Sequence, residues 1–150
     1  MREILFRGKR LDNGEWVYGN LNYGTIEIKS IKDSYYISDF DVTPLDKKFY
    51  FVIPKTVGQY TGLTDKNGKK IFEGDILQVK QHGKTGVRTC AIYFGEYIDA
   101  DNVLEGYHCI GFYLKVDDEC CSIGALLDSD FEFEIIGNIH DNPELLEVEE

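Results

Sequence analysis

Cations are almost missing from the second half of this chain. Residues 1 to 88 hold 15 Lys/Arg against 11 Asp/Glu, a balance of +4, whereas residues 89 to 150 hold one, Lys115, against 16, a balance of −15. Affinity for a phosphate backbone comes from cationic side chains that displace counterions, so the second half is not expected to bind nucleic acid directly. No run of about 18 apolar residues occurs, which excludes a membrane-spanning helix, and the charged start Met1-Arg2-Glu3 lacks the apolar core of a secretory signal. The expected compartment is the cytoplasm.

Metal and cofactor signatures are missing too. The four cysteines, Cys90, Cys109, Cys120 and Cys121, show no CxxC spacing, and neighbours such as Cys120 and Cys121 rarely bridge, so reduced thiols are expected rather than a disulfide framework or zinc site. His82, His108 and His140 are scattered, without HxxH or HExxH. Phosphate-binding glycine loops are lacking. Asp99 to Glu105 begins like a calcium loop but lacks its central glycine and distant glutamate, and reads as a solvated acidic loop. No cofactor and no metal are expected.

Sustained helical periodicity is absent, and ten Tyr and nine Phe beside a single Met lean towards sheet. The most informative stretch is Ile53 to Leu77, divided at Asp65-Lys66-Asn67-Gly68. Asn-Gly is the strongest short-range hairpin signal because both residues tolerate the positive φ of a type I′ turn. A looser echo, Leu11-Asp12-Asn13-Gly14-Glu15-Trp16, lies near the start and is what any such hairpin looks like. Ten strands are expected between Arg2 and Ile139, among them Thr25–Lys29, Gly58–Leu63, Ile76–Lys80, Val87–Phe94, Gly111–Val116 and Phe131–Ile139. Cys90, Ile92 and Phe94 share one face, Phe112, Leu114 and Val116 share another, Leu77 and Val79 line a third, and all eight read as core. A short helical turn is expected somewhere in Cys120 to Leu127. Another is expected after Asn142, where Pro143 suits the first helical position.

Two groups of residues invite functional readings. Asp75, His140 and Asp141 follow strand-like runs near glycines and are the best place for acid/base chemistry, although Asp after Gly is commonly a turn residue bonded to its own backbone. No catalytic residue is assigned on that basis. Asp128, Asp130, Glu132 and Glu134 alternate with Ser129, Phe131, Phe133 and Ile135, so an extended segment would line four carboxylates on one face. Such a row needs cations opposite, from Lys69, Lys70, Lys80, Arg88 or a partner. With Trp16, Tyr18 and Tyr60, aromatics of the kind that pack sheets or subunit faces, these carboxylates form the expected interface.

Arg2-Glu3-Ile4-Leu5-Phe6-Arg7-Gly8-Lys9, Gly14-Glu15-Trp16-Val17-Tyr18-Gly19, Val57-Gly58-Gln59-Tyr60-Thr61-Gly62-Leu63, Asp65 to Ile76 and Ile135-Ile136-Gly137-Asn138-Ile139 together resemble the YopX family. That resemblance implies a small cytosolic protein encoded by bacteriophages or prophages, self-assembling, with no catalytic residues to carry over. Glu73-Gly74-Asp75-Ile76-Leu77 also resembles the opening strand of SH3-like barrels. The expected fold is therefore all-β, with an N-terminal β lobe (residues 1–55) packed on an SH3-like small barrel (56–150) closed by a short C-terminal helical turn. The expected function is non-enzymatic protein binding with homo-oligomerisation. The alternatives are an acidic decoy that mimics nucleic acid and occupies a basic host or phage protein, and an enzyme using the Asp75, His140 and Asp141 site.

Overall fold

The computed structural model describes residues 3–26, 31–38, 48–99 and 108–147. The rest of the acidic loop after Asp99 and the end of the strand expected over residues 25–29 lie outside the described residues. The protein is mostly β, in antiparallel sheets, and divides into two compact units, Met1–Tyr60 and Thr61–Glu150. Among the described residues no helix is long and apolar enough to cross a membrane.

The first unit holds β1 (Phe6–Lys9), β2 (Trp16–Ile26), β3 (Ile31–Ser38), β4 (Phe49–Phe51) and a single 3-10 turn, Pro54–Thr56. β5 (Gly58–Thr64) begins here, beside β1, and the strand order is β4-β3-β2-β1-β5. Gly19 sits where β2 passes β3 so closely that a Cβ would lie 2.2 Å from the Ser38 carbonyl oxygen. Only glycine fits.

The second unit continues with β6 (Lys70–Phe72), β7 (Asp75–Gln81), β8 (Arg88–Ile98), β9 (His108–Val116), β10 (Glu119–Ser122), a 3-10 turn at Ile123–Leu127, β11 (Phe131–Asn138) and a last 3-10 turn at Pro143–Leu146. Its five-stranded sheet runs β10-β9-β8-β7-β11, all neighbours antiparallel, and the described strands form no closed barrel. Ile71, Leu77, Cys90, Ile92, Leu114 and Leu126 form its buried core. Burial pushes the Cys90 thiol up to about 12, with Cys121 nearby adding to the effect.

The hairpin at Asp65 forms, but not as a type I′ turn. Gly68 alone has positive φ (78°), its N–H donates to the Asp65 carbonyl, and the Asp65 N–H donates to Lys69, which makes a three-residue loop with a left-handed glycine. The cause is the Asp65 carboxylate. One oxygen accepts the N–H groups of Asn67 and Lys69 (2.9 Å each), holding Asn67 out of the left-handed region, and the other accepts from Ile135 on β11 at 3.2 Å. Burial alone would raise the pKa of this carboxyl, yet the N–H groups of Lys69, Ile135 and Asn67 outweigh it and hold the acid below its ordinary range.

Phe94 departs from its expected core role. β7 pairs with β8 only as far as Ile76 opposite Ala91, and the Gly74 N–H closes on the Ile92 carbonyl, so the chain beyond Ile92 runs out past the sheet. Phe94 is 53% exposed.

Candidate interaction surface

Past Ile92 and Tyr113, β8 and β9 continue as a two-stranded ribbon among the described residues. Phe94 pairs with Phe112, Gly95 with Gly111, Glu96 with Ile110, Tyr97 with Cys109 and Ile98 with His108. Alternation gives the ribbon two different faces. On one, Tyr93, Tyr113 and Tyr97 form a ladder, with ring centroids 5.7 Å apart for Tyr93 and Tyr113 and 4.9 Å for Tyr97 and Tyr113. Tyr97 is buried, with Ser122 and Cys109 close to its hydroxyl; burial raises its pKa and keeps the phenol protonated. These contacts stiffen the ribbon.

The opposite face carries Phe94, Phe112, Ile98 and Ile110 around a contact between Glu96 and His108. Phe94 and Phe112 meet edge to face at 5.0 Å, and Glu96 Oε1 lies 3.0 Å from His108 Nδ1. Ile98 is 53% exposed and Ile110 81%. With Phe94 they form an exposed apolar patch, and the largest such patch on a monomer is often functional. Apolar side chains held out on a rigid support lose little entropy when covered, so this face is suited to binding another protein.

The expected interface residues are distributed otherwise. Trp16 is half-buried, with the Arg7 guanidinium 4.7 Å and the Lys9 ammonium 5.7 Å from its ring centre. Tyr18 is exposed. Tyr60 is buried, its N–H bonded to the Leu5 carbonyl, and contributes nothing to the surface.

The row of four carboxylates is cut in two because β11 starts only at Phe131. Asp128 and Asp130 lie in the preceding turn, where the Asp128 carboxylate accepts the Asp130 N–H and the Asp130 carbonyl accepts from His82. Glu132 and Glu134 share a strand, and the cation that meets them is Lys66, at 3.3 Å and 2.6 Å, not one of those expected. Lys80 stands opposite Glu132 in register. The hydrogen bond to Lys66 lowers the pKa of Glu134, and the same bonds raise that of Lys66.

Asp75, His140 and Asp141 gather at one end of the sheet, since Asp75 pairs in register with Asn138. Their described bonds are turn bonds. The Asp75 carboxylate, 2% exposed, accepts the Phe72 N–H at 2.8 Å across the Glu73-Gly74 turn. The Asn138 side-chain oxygen accepts the N–H groups of His140 and Asp141, and its amide donates to the Asp141 carboxylate. Among the described residues no group of three or more His, Cys, Asp or Glu could hold a metal ion.

A family model described as YopX protein matches residues 5–147. No curated protein matches the chain. Among solved structures, the crystal structure of protein EF1440 from Enterococcus faecalis is 26% identical, with 98% of this chain and 100% of that chain covered and a TM-score of 0.49.

Proposed function

The chain belongs to the YopX family, and on that footing we propose that it is a non-enzymatic accessory protein, of phage or prophage origin, that acts by binding protein, in the first place further copies of itself. The observation that carries this reading is the ribbon face with Phe94, Ile98 and Ile110 exposed on a support stiffened by the tyrosine ladder. Covering one fully exposed isoleucine returns about 1.5–3 kcal/mol, so Ile110 alone can change an association constant by one to two orders of magnitude.

The same reading takes the second unit as an SH3-like open barrel. Its support is connectivity: a meander β7-β8-β9-β10, a 3-10 turn, and a fifth strand that returns to pair with the first. The acidic-decoy alternative draws on the negative surface after Phe94, of which Glu132 and Glu134 are met by Lys66. The enzyme alternative rests on Asp75, whose carboxylate is buried under the Phe72 N–H.

Light scattering on the purified protein tests the proposal. A discrete oligomer for the wild type and a monomer for Ile110→Asp are expected. A wild-type monomer at both low and high salt would refute self-association and redirect the search to a different protein partner.

A further inference from the structure

The second unit also holds a cavity of about 490 Å³ that reaches the core. Its floor is Cys90, Leu114 and Leu126, and Lys84, Val87 and Arg88 stand among its lining residues. Gly83 and Gly86, both at positive φ, shape the loop beside it. Most of the lining is apolar and no Asp or Glu takes part, although after Arg88 the chain contains 16 acidic residues and one cation. Neither Lys84 nor Arg88 forms an ion pair with a described residue. A wider groove of about 1030 Å³ near Leu145 and Leu146 mixes Arg88 and Lys115 with Asp117, Asp118 and Glu119, and selects no sign of charge.

The cavity and the ribbon are complementary. One is an apolar hollow with cations among its lining; the other is an apolar face with the exposed carboxylate of Glu96 in its middle. Both lie along β8, the cavity at Arg88 and Cys90 and the ribbon from Phe94 to Ile98, and a paired ribbon that carries the strand away from the cavity does not fold back to fill it. We propose that the ribbon face of one copy, Phe94, Ile98 and Ile110 around Glu96, docks in the cavity of a second copy with Glu96 against Lys84 and Arg88, joining copies head to tail. This inference rests on the self-association proposed above and names its geometry. Such a junction is heterologous, so it propagates until it closes into a ring or grows as a filament.

Complementation tests it. Ile110→Asp removes the ribbon's anchor and leaves the cavity; Val87→Asp, at a position 54% exposed, places a carboxylate in the cavity lining and leaves the ribbon. Far-UV circular dichroism checks that both fold. Each variant alone is expected to be monomeric, and an equimolar mixture to give a dimer and nothing larger, because the two copies together retain one intact junction. Glu96→Lys should weaken association at least tenfold, and Lys84→Glu with Arg88→Glu in the same chain should restore it. A wild-type oligomer whose mass survives Val87→Asp, or a mixture that stays monomeric, overturns the head-to-tail junction while self-association stands. So does native mass spectrometry that finds a small molecule in the cavity of the intact oligomer. A monomeric wild type overturns both.

Discussion

Replacing Asp65 tests how the second unit is held together. Its carboxylate accepts three backbone N–H groups, two inside the hairpin loop and one, Ile135, on a strand 70 residues away. In Asp65→Ala the Ile135 N–H loses its partner in a part-buried place, at about 1–3 kcal/mol, and the two loop N–H groups, which water can reach, lose about 0.5–1.5 kcal/mol each. The expected total is about 2–6 kcal/mol. Asp65→Asn keeps one acceptor oxygen for the loop but presents an amide donor to the Ile135 N–H, so about half of that loss is expected. The folded-state pKa of Asp65 is depressed, so its contribution is fully present above the unfolded value of about 3.9 and disappears as pH falls through the lower folded value. Urea unfolding should be followed by the near-ultraviolet signal of the Tyr93–Tyr113–Tyr97 ladder, which reports on this unit. The gap between wild type and Asp65→Asn should be constant from pH 7 to about 5 and shrink below about 4. A gap under about 0.5 kcal/mol at pH 7, or one that does not narrow in acid, would refute the assignment of Asp65 as the tie between hairpin and β11.

Other outcomes follow from single contacts. Gly19→Ala forces a Cβ onto the Ser38 carbonyl and should destabilise the first unit by about 1–3 kcal/mol, read from Trp16 fluorescence in urea; a neutral result would mean that β2 and β3 can part without cost. A thiol reagent at pH 8 should label Cys109, Cys120 and Cys121 in the folded protein and reach Cys90, buried and shifted to about 12, only in urea; four equal rates would contradict that burial. Lys66→Ala should raise the pKa of Glu134 in a carbon-detected NMR titration and leave the melting temperature nearly unchanged, since the pair is exposed. An unmoved Glu134 would show that the ion pair does not persist in solution.

Features written in neighbouring residues were legible in the sequence. The Asn67-Gly68 hairpin, the core positions Leu77, Cys90, Ile92 and Leu114, and the 3-10 turn after Asn142 all follow from local pattern. The turn type at Gly68 was not, because a carboxylate two residues before Asn67 overrode the dipeptide preference. β10 was hidden as well: its hairpin turns on Asp117-Asp118 with Asp117 at φ 52°, a conformation that Asp tolerates but that no glycine announced. Alternation placed Phe94 on the core face correctly but cannot say where the neighbouring strand stops. The cavity draws its lining from five strands, a loop and a 3-10 turn. No linear pattern encodes such a gathering, and the only hint was how few cations remained to be placed after Arg88.

The position of β11 has a consequence for the newly made chain. It pairs with β7, yet Phe131 follows Gln81 by about 50 residues, so at a synthesis rate of roughly 5–20 residues per second β7 waits some 3–10 s for its partner. The first unit has its strands in hand by Gln59 and can assemble on the ribosome. During that interval Leu77 and Val79 border an unpaired edge, which makes the nascent second unit a client for chaperones and the rate of translation a determinant of its yield.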